Sequence, residues 1–138
     1  MISFTVLIGF AAAALLGFTQ FNRYAASARL RAQALTLAQQ RTEQIMTTSW
    51  RAAGTRPAVL AAGTATENNL AINTDATNSQ AGLSSTYTST NGEVRATRTT
   101  VVTDLTARSL RAVVTVTFTY ANRTYTVAIN TLRVTDSI

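Results

Sequence analysis

No side chain from Met1 to Asn22 carries a charge, and the first basic residue is Arg23. The opening stretch, MISFTVLIGFAAAALLGF, is apolar on every side when wound as a helix. At ~1.5 Å per residue its eighteen residues span ~27 Å, close to the ~30 Å hydrocarbon core of a bilayer. A segment with no polar face must lie in lipid or among similar segments. Three fates compete for it. A cleavable secretory signal normally has a basic flank before its apolar core, and none precedes this run. An ordinary anchor, oriented by Arg23, Arg29 and Arg31, would leave the rest of the chain in the cytoplasm, an odd place for a head rich in Thr and devoid of Lys. A basic leader removed ahead of Met1 accounts best for an apolar start without a flank of its own.

The helical pattern continues past the charge boundary. Residues 21–50 hold no Pro or Gly and are dominated by Ala, Leu, Gln and Arg, all good helix formers. Ala26, Leu30, Ala34, Leu37, Ala38 and Ile45 recur at steps of three and four and make one stripe. Arg23, Arg31, Gln39 and Glu43 fall largely off it. An apolar half-helix (1–22) is thus expected to run without a break into an amphipathic half-helix (23–50). Gly9 and Gly17, with Ala11 to Ala14 between them, suit close approach of one helix to another.

Residues 51–82 lose the helical period. Gly54, Pro57, Gly63 and the polar run ENNLAINTDATNSQAG mark a connection, with a short strand or turn at Ala58 to Leu60. From Leu83 the period becomes two, so residues 83–138 read as an antiparallel meander. Its strands are Leu83 to Thr90, Glu93 to Asp104, Arg111 to Tyr120 and Thr124 to Val134. Asn91-Gly92, Thr106 to Arg108 and Asn122-Arg123 are the turns, and Thr97, Thr99, Val101, Thr103 and Leu105 share one face of the second strand. A loop at Asn122-Arg123 pairs Tyr120 with Tyr125, Phe118 with Val127 and Val116 with Ile129, all on one face. The shift to Leu132 and Val134 suggests a bulge near Asn130. The fold class is α+β, a long N-terminal helix packed on a four-stranded antiparallel sheet. Its head core is Leu30, Leu37, Ile45, Val114, Val116, Phe118, Tyr120, Tyr125, Val127 and Ile129.

Composition narrows the chemistry. With no Cys and no His, disulfides, Cys/His metal sites and His-based nucleophilic catalysis are excluded. Glu43, Glu67, Asp75, Glu93, Asp104 and Asp136 are the only acids and lie far apart in sequence, so neither an enzyme, a metal nor a cofactor is expected. The +6 balance comes entirely from Arg. Arg95, Arg98, Arg108, Arg111, Arg123 and Arg133 lie on or between the strands and could meet nucleic-acid phosphates. Stacking on bases has little support, because the aromatic residues near them belong to the core, and solubility or pairing between subunits accounts for these arginines better.

The order of parts resembles type IV pilins and the pseudopilins of type II secretion: Met1, the uncharged FTVLIGFAAAALLGF run, a helix to about Trp50, a loop and a meander. The resemblance spans the chain and rests on architecture. It implies a leader peptidase that exposes Met1, an inner-membrane stage before assembly, pilus assembly machinery as a partner, and polymerisation into a helical homo-oligomer at the cell surface. The filament core would comprise Met1, Ile2, Phe4, Val6, Leu7, Ile8, Gly9, Phe10, Leu15, Leu16, Gly17 and Phe18. Where the family usually has a glutamate five residues in, this chain has Thr5. The N-terminal amine would then turn to the hydroxyl of Thr5 or Ser3. The family's mid-helix Pro and C-terminal disulfide loop are absent as well. The resemblance implies a structural filament subunit, with a minor pilin or pseudopilin of a secretion or DNA-uptake system as the alternative.

Overall fold

The computed structural model describes residues 2–51, 55–72 and 94–136, with side chains of the helix from residue 12 onward. One helix, α1 (Ile2–Thr47), precedes a single 3-10 turn at Ala58–Leu60 and four strands: β1 (Gly63–Ile72), β2 (Val94–Thr106), β3 (Ser109–Tyr120) and β4 (Arg123–Val134). The strands form one antiparallel sheet in the order β1-β2-β3-β4. At ~1.5 Å per residue α1 is about 70 Å long, and its C-terminal half lies chiefly on β3 and β4.

The core is the stripe of α1 set against the inner face of the sheet. Leu30, Ala34, Leu37, Ala38 and Ile45 are fully buried against Leu110, Ala112, Val114, Val116 and Phe118 of β3. Tyr120, Tyr125, Val127 and Ile129 are partly buried and pack on that cluster. The Phe118 and Tyr125 rings stack with centroids 5.2 Å apart, and the Arg31 guanidinium lies 4.7 Å over Tyr125. Threonine rows cross the opposite face: Thr66, Thr99 and Thr115 are successive cross-strand partners, as are Thr97, Thr117 and Thr126. β-Branched polar side chains suit such a half-wet surface.

Three expectations need correction. The first strand of the sheet is β1, inside the stretch 51–82 that reads as connection. Its polar sequence fits an edge strand that buries only Ile72. The Asn68-Asn69 pair, which resembles a turn, is an irregularity between Glu67 and Leu70, with Asn69 at φ 60°. Asn tolerates that left-handed conformation at a bulge. The expected strand Leu83 to Thr90 and the Asn91-Gly92 turn lie outside the described residues.

The β3–β4 loop is Ala121-Asn122, one residue earlier than expected. Phe118 therefore opposes Tyr125, Val116 opposes Val127, and Val114 opposes Ile129. A displacement of two places preserves side-chain parity, so the six residues still share the inner face. Ala121 and Asn122 have φ of 49° and 61°, the mark of the mirror-image turns that match strand twist. Asn-Arg lacks the glycine such turns favour, and Ala at a positive φ gives no signal in the sequence.

Finally, no bulge interrupts β4 near Asn130; pairing runs evenly from Tyr120–Arg123 to Ser109–Val134. The apolar pattern shifts there because the inner face takes Arg133, which is buried, and leaves Leu132 and Val134 exposed. Arg133 donates to the carbonyls of Met46 and, at 2.6 Å, Thr48, and pairs with Asp136 at 3.0 Å. Asp136 accepts the Trp50 N–H at 2.8 Å, and its own N–H donates to the Trp50 carbonyl at 2.9 Å. Thr47 and Thr48 hydroxyls donate to the Glu43 and Gln44 carbonyls. Of the C-terminal carbonyls that an α-helix leaves unpaired, those of Gln44 and Met46 thus find donors, and a cation sits at the negative end of the helix dipole.

Two outcomes are expected. Ala121→Asn with Asn122→Gly relieves the left-handed alanine and stabilises the fold by about 1 kcal/mol, read as a higher thermal midpoint. Arg133→Met leaves two helix-end carbonyls without their donor and costs about 2 kcal/mol, measured by urea unfolding.

Candidate assembly surface

Among the described side chains, the head covers α1 from Ala25 onward. Every residue from Ala12 to Tyr24 is exposed. Leu15, Leu16, Phe18, Phe21 and Tyr24 are each more than 60% exposed. At 100° per residue these five side chains leave no gap wider than about 100° around the axis, so large apolar side chains point to every side of the stem, with Thr19, Gln20, Asn22 and Arg23 interspersed. A side chain added at Gly17 would meet nothing within 4 Å, which leaves the backbone there open to close approach. Phe21 and Tyr24 extend the apolar surface beyond the Phe18 limit set by the sequence reading. Their signal is their place at the end of the uncharged run, flanking Arg23.

Met1, Ile2, Phe4, Val6, Leu7, Ile8, Gly9 and Phe10, with the amine-partner candidates Ser3 and Thr5, have side chains outside the described residues. Among the described residues, no helix is long and apolar enough to cross a membrane. The sequence reading of a span therefore leans on residues 1–11.

Magnitudes show what the stem asks for. Burying Leu15, Leu16, Phe18 and Phe21 gains roughly 6–12 kcal/mol at 1.5–3 kcal/mol each. Association costs an estimated ~4–15 kcal/mol, so these four side chains alone only balance it. The apolar residues ahead of them would supply the surplus.

Above the stem, α1 presents a second exposed surface, opposite the sheet. It carries Ala28, Arg29, Ala32, Leu35, Thr36, Gln39 and Glu43, with Leu35 about 40% exposed. Glu43 and Arg29 have no ion-pair partner among the described residues.

The arginines of the sheet do not form one patch. Arg98 and Arg133 point inward. Arg98 pairs with Glu67 through Nε and Nη2 and donates Nη1 to the Leu37 carbonyl of α1 at 2.9 Å. Arg111 donates to Asn130 and Arg95 to the Asn69 carbonyl. Arg108 and Arg123 sit at opposite ends of β3. Arg56 lies 5.1 Å over the Trp50 ring and pairs with Asp104 at 2.5 Å. That hydrogen bond holds the Asp104 carboxyl below its ordinary 3.8, against a smaller push upward from desolvation and with help from the Arg56 charge. Because the folded value is the lower one, this tie is in place at neutral pH and is lost as pH falls below the usual carboxylate range.

A depression of about 190 Å³ beside the 3-10 turn is lined by Arg41, Ala58, Val59, Thr100 and Val102 among others. Arg41 is its single charged group. Among the described residues, no three His, Cys, Asp or Glu side chains gather where they could hold a metal. No protein-family model, curated protein or solved structure matches the chain.

Because Ala12 to Tyr24 are exposed throughout, polar substitutions there are expected to leave folding unaffected. Leu16→Gln and Phe18→Gln are each expected to shift the unfolding free energy of the full chain by less than about 0.5 kcal/mol, measured in mild detergent. A larger loss would mean that the stem is packed on its own head.

Proposed function

We propose that this protein is a structural subunit of an extracellular, type IV pilus-like filament that polymerises through its apolar N-terminal helix. The observation that carries the proposal is the bare stem. A helix that is apolar on all sides from Ala12 to Phe18, with Phe21 beyond, projects from a head that leaves these side chains exposed. Once out of lipid, such a rod stays dry only among copies of itself. The α+β head supports the same reading, since it clamps the other half of the same helix and presents a threonine-covered outer face. Before assembly the apolar half would rest in the inner membrane, and assembly machinery would draw it out.

Thr5, in the place where the resemblance calls for a glutamate, favours a second reading. A minor pilin or pseudopilin that initiates assembly would need that charge less than a repeating subunit. Loss of a major subunit abolishes filaments, whereas loss of a minor one only lowers their number.

Electron microscopy of the purified chain after detergent removal tests the proposal. Filaments of uniform width are expected, and Phe18→Gln combined with Phe21→Gln should abolish them while the head stays folded. Dispersed monomers of the unaltered chain would overturn the proposal.

A further inference from the structure

Glu43 is the only acidic residue in α1, and it is exposed on the face turned away from the sheet. Arg29 is exposed on the same side: fourteen residues at 100° each bring the two within about 40° of one another around the axis. Along the axis they are ~21 Å apart, five times the reach of an ion pair, so they cannot meet within one molecule. Arg23 lies on the far side of the helix from Glu43 by the same arithmetic, and Arg31 is engaged with Tyr125. Arg29 is the cation with the right azimuth.

We propose that the outward face of the head helix seats the stem of a second copy, the two helices parallel and offset by about fourteen residues, so that Arg29 of the arriving copy pairs with Glu43 of the receiving one. This deepens the filament reading and rests on it. The offset sets Phe18 of the arriving stem level with Ala32 and Phe21 level with Leu35, large side chains against a small one and against an exposed apolar one. Each head keeps its sheet on the far side of its own helix, so the sheets do not collide. The contact is heterologous: each copy uses Phe18, Phe21 and Arg29 toward one neighbour and Ala32, Leu35 and Glu43 toward another, so it does not close on itself.

Charge reversal in the full-length chain tests the seat. Both residues are exposed, so folding should survive, as far-UV circular dichroism will show. Glu43→Arg and Arg29→Glu alone should each raise the concentration needed for assembly about tenfold, and the double reversal should restore it. Filaments indifferent to either single reversal would overturn the seat while leaving the filament reading intact; a different protein or a lipid surface on this face would give that result. An unaltered chain that remains monomeric would overturn both.

The chain has no cysteine of its own, so crosslinking gives an independent reading. Phe18→Cys with Ala32→Cys in one chain should yield a ladder of covalent multimers on oxidation. Either cysteine alone should stop at dimers. Filaments of the double variant that give no ladder would also overturn the seat.

Discussion

Everything in this molecule depends on one helix being asked to live in two environments. From Ser27 to Ile45 it has a sheet on one side and water on the other, and it carries an apolar stripe to match. From Ala12 to Phe18 it has no sheet, and its side chains are apolar in all directions. The backbone is indifferent to the change, because an α-helix closes its own hydrogen bonds wherever it runs. Several buttresses come from the helix itself: Thr19, Ser27, Thr36 and Thr42 return their hydroxyls to carbonyls three or four residues back. The whole conflict therefore falls on side chains, and it can be resolved only by something outside the molecule that covers them. A helix whose nucleation is already secured by packing at one end is also cheap to extend, so the stem need not be stable alone to be straight.

The head is built to fix the direction of that stem. Apolar packing against Val114, Val116 and Phe118 holds α1 to the sheet but resists sliding and rolling weakly, since Leu and Ala repeat along the stripe. Two inward arginines add direction. Arg98 from β2 reaches the Leu37 carbonyl in mid-helix, and Arg133 from β4 reaches the Met46 and Thr48 carbonyls at the end. Each is neutralised by its own acid, Glu67 or Asp136, so neither leaves a bare charge inside, the condition under which buried ions are tolerated. A planar guanidinium with several donors suits the task better than an ammonium. That fits a chain whose twelve cations are all arginine, although surface arginines have no such explanation.

Much of this was legible in the sequence, for definite reasons. The helix was legible because its stripe keeps one period from Ala26 to Ile45, and β3 and β4 because Val and Phe alternate with Thr. The inner face survived even a misplaced loop, since an error of two residues in pairing does not change parity. Leu30, Leu37, Ile45, Val114, Val116 and Phe118 lie at the centre of the core, with Tyr120, Tyr125, Val127 and Ile129 at its margin. What stayed hidden was whatever depended on contacts across the chain. β1 is an edge strand of Thr, Glu and Asn that has too few apolar residues to show a period. Arg133 looks like a surface residue until the helix end arrives above it, with Met46 87 residues away in sequence yet in direct contact. The face of α1 that carries Glu43 and Arg29 is visible as a polar stripe, but its lack of partners emerges only when the sheet is seen to cover the opposite side.

An apolar rod supplies cohesion but no register. Slide two such rods past each other by one turn and Leu15, Leu16, Phe18 and Phe21 still find apolar neighbours, so the energy changes little. A filament of one width and one pitch needs a term that depends steeply on axial position. Opposite charges on helical faces do, because an ion pair is lost within a few ångströms while its partners become uncompensated. Where the proposed filament reading calls for an early acid to set such a register near Met1, this chain has Thr5. Glu43 and Arg29 are the remaining groups on α1 that have opposite sign, share an exposed side and lack partners among the described residues. In the proposed filament the duty of setting the axial step passes from the buried end of the helix to its exposed shoulder, where the two charges stay partly hydrated. The desolvation penalty of pairing is then smaller than at a buried terminus, and the register becomes sensitive to salt while the cohesion of the core does not.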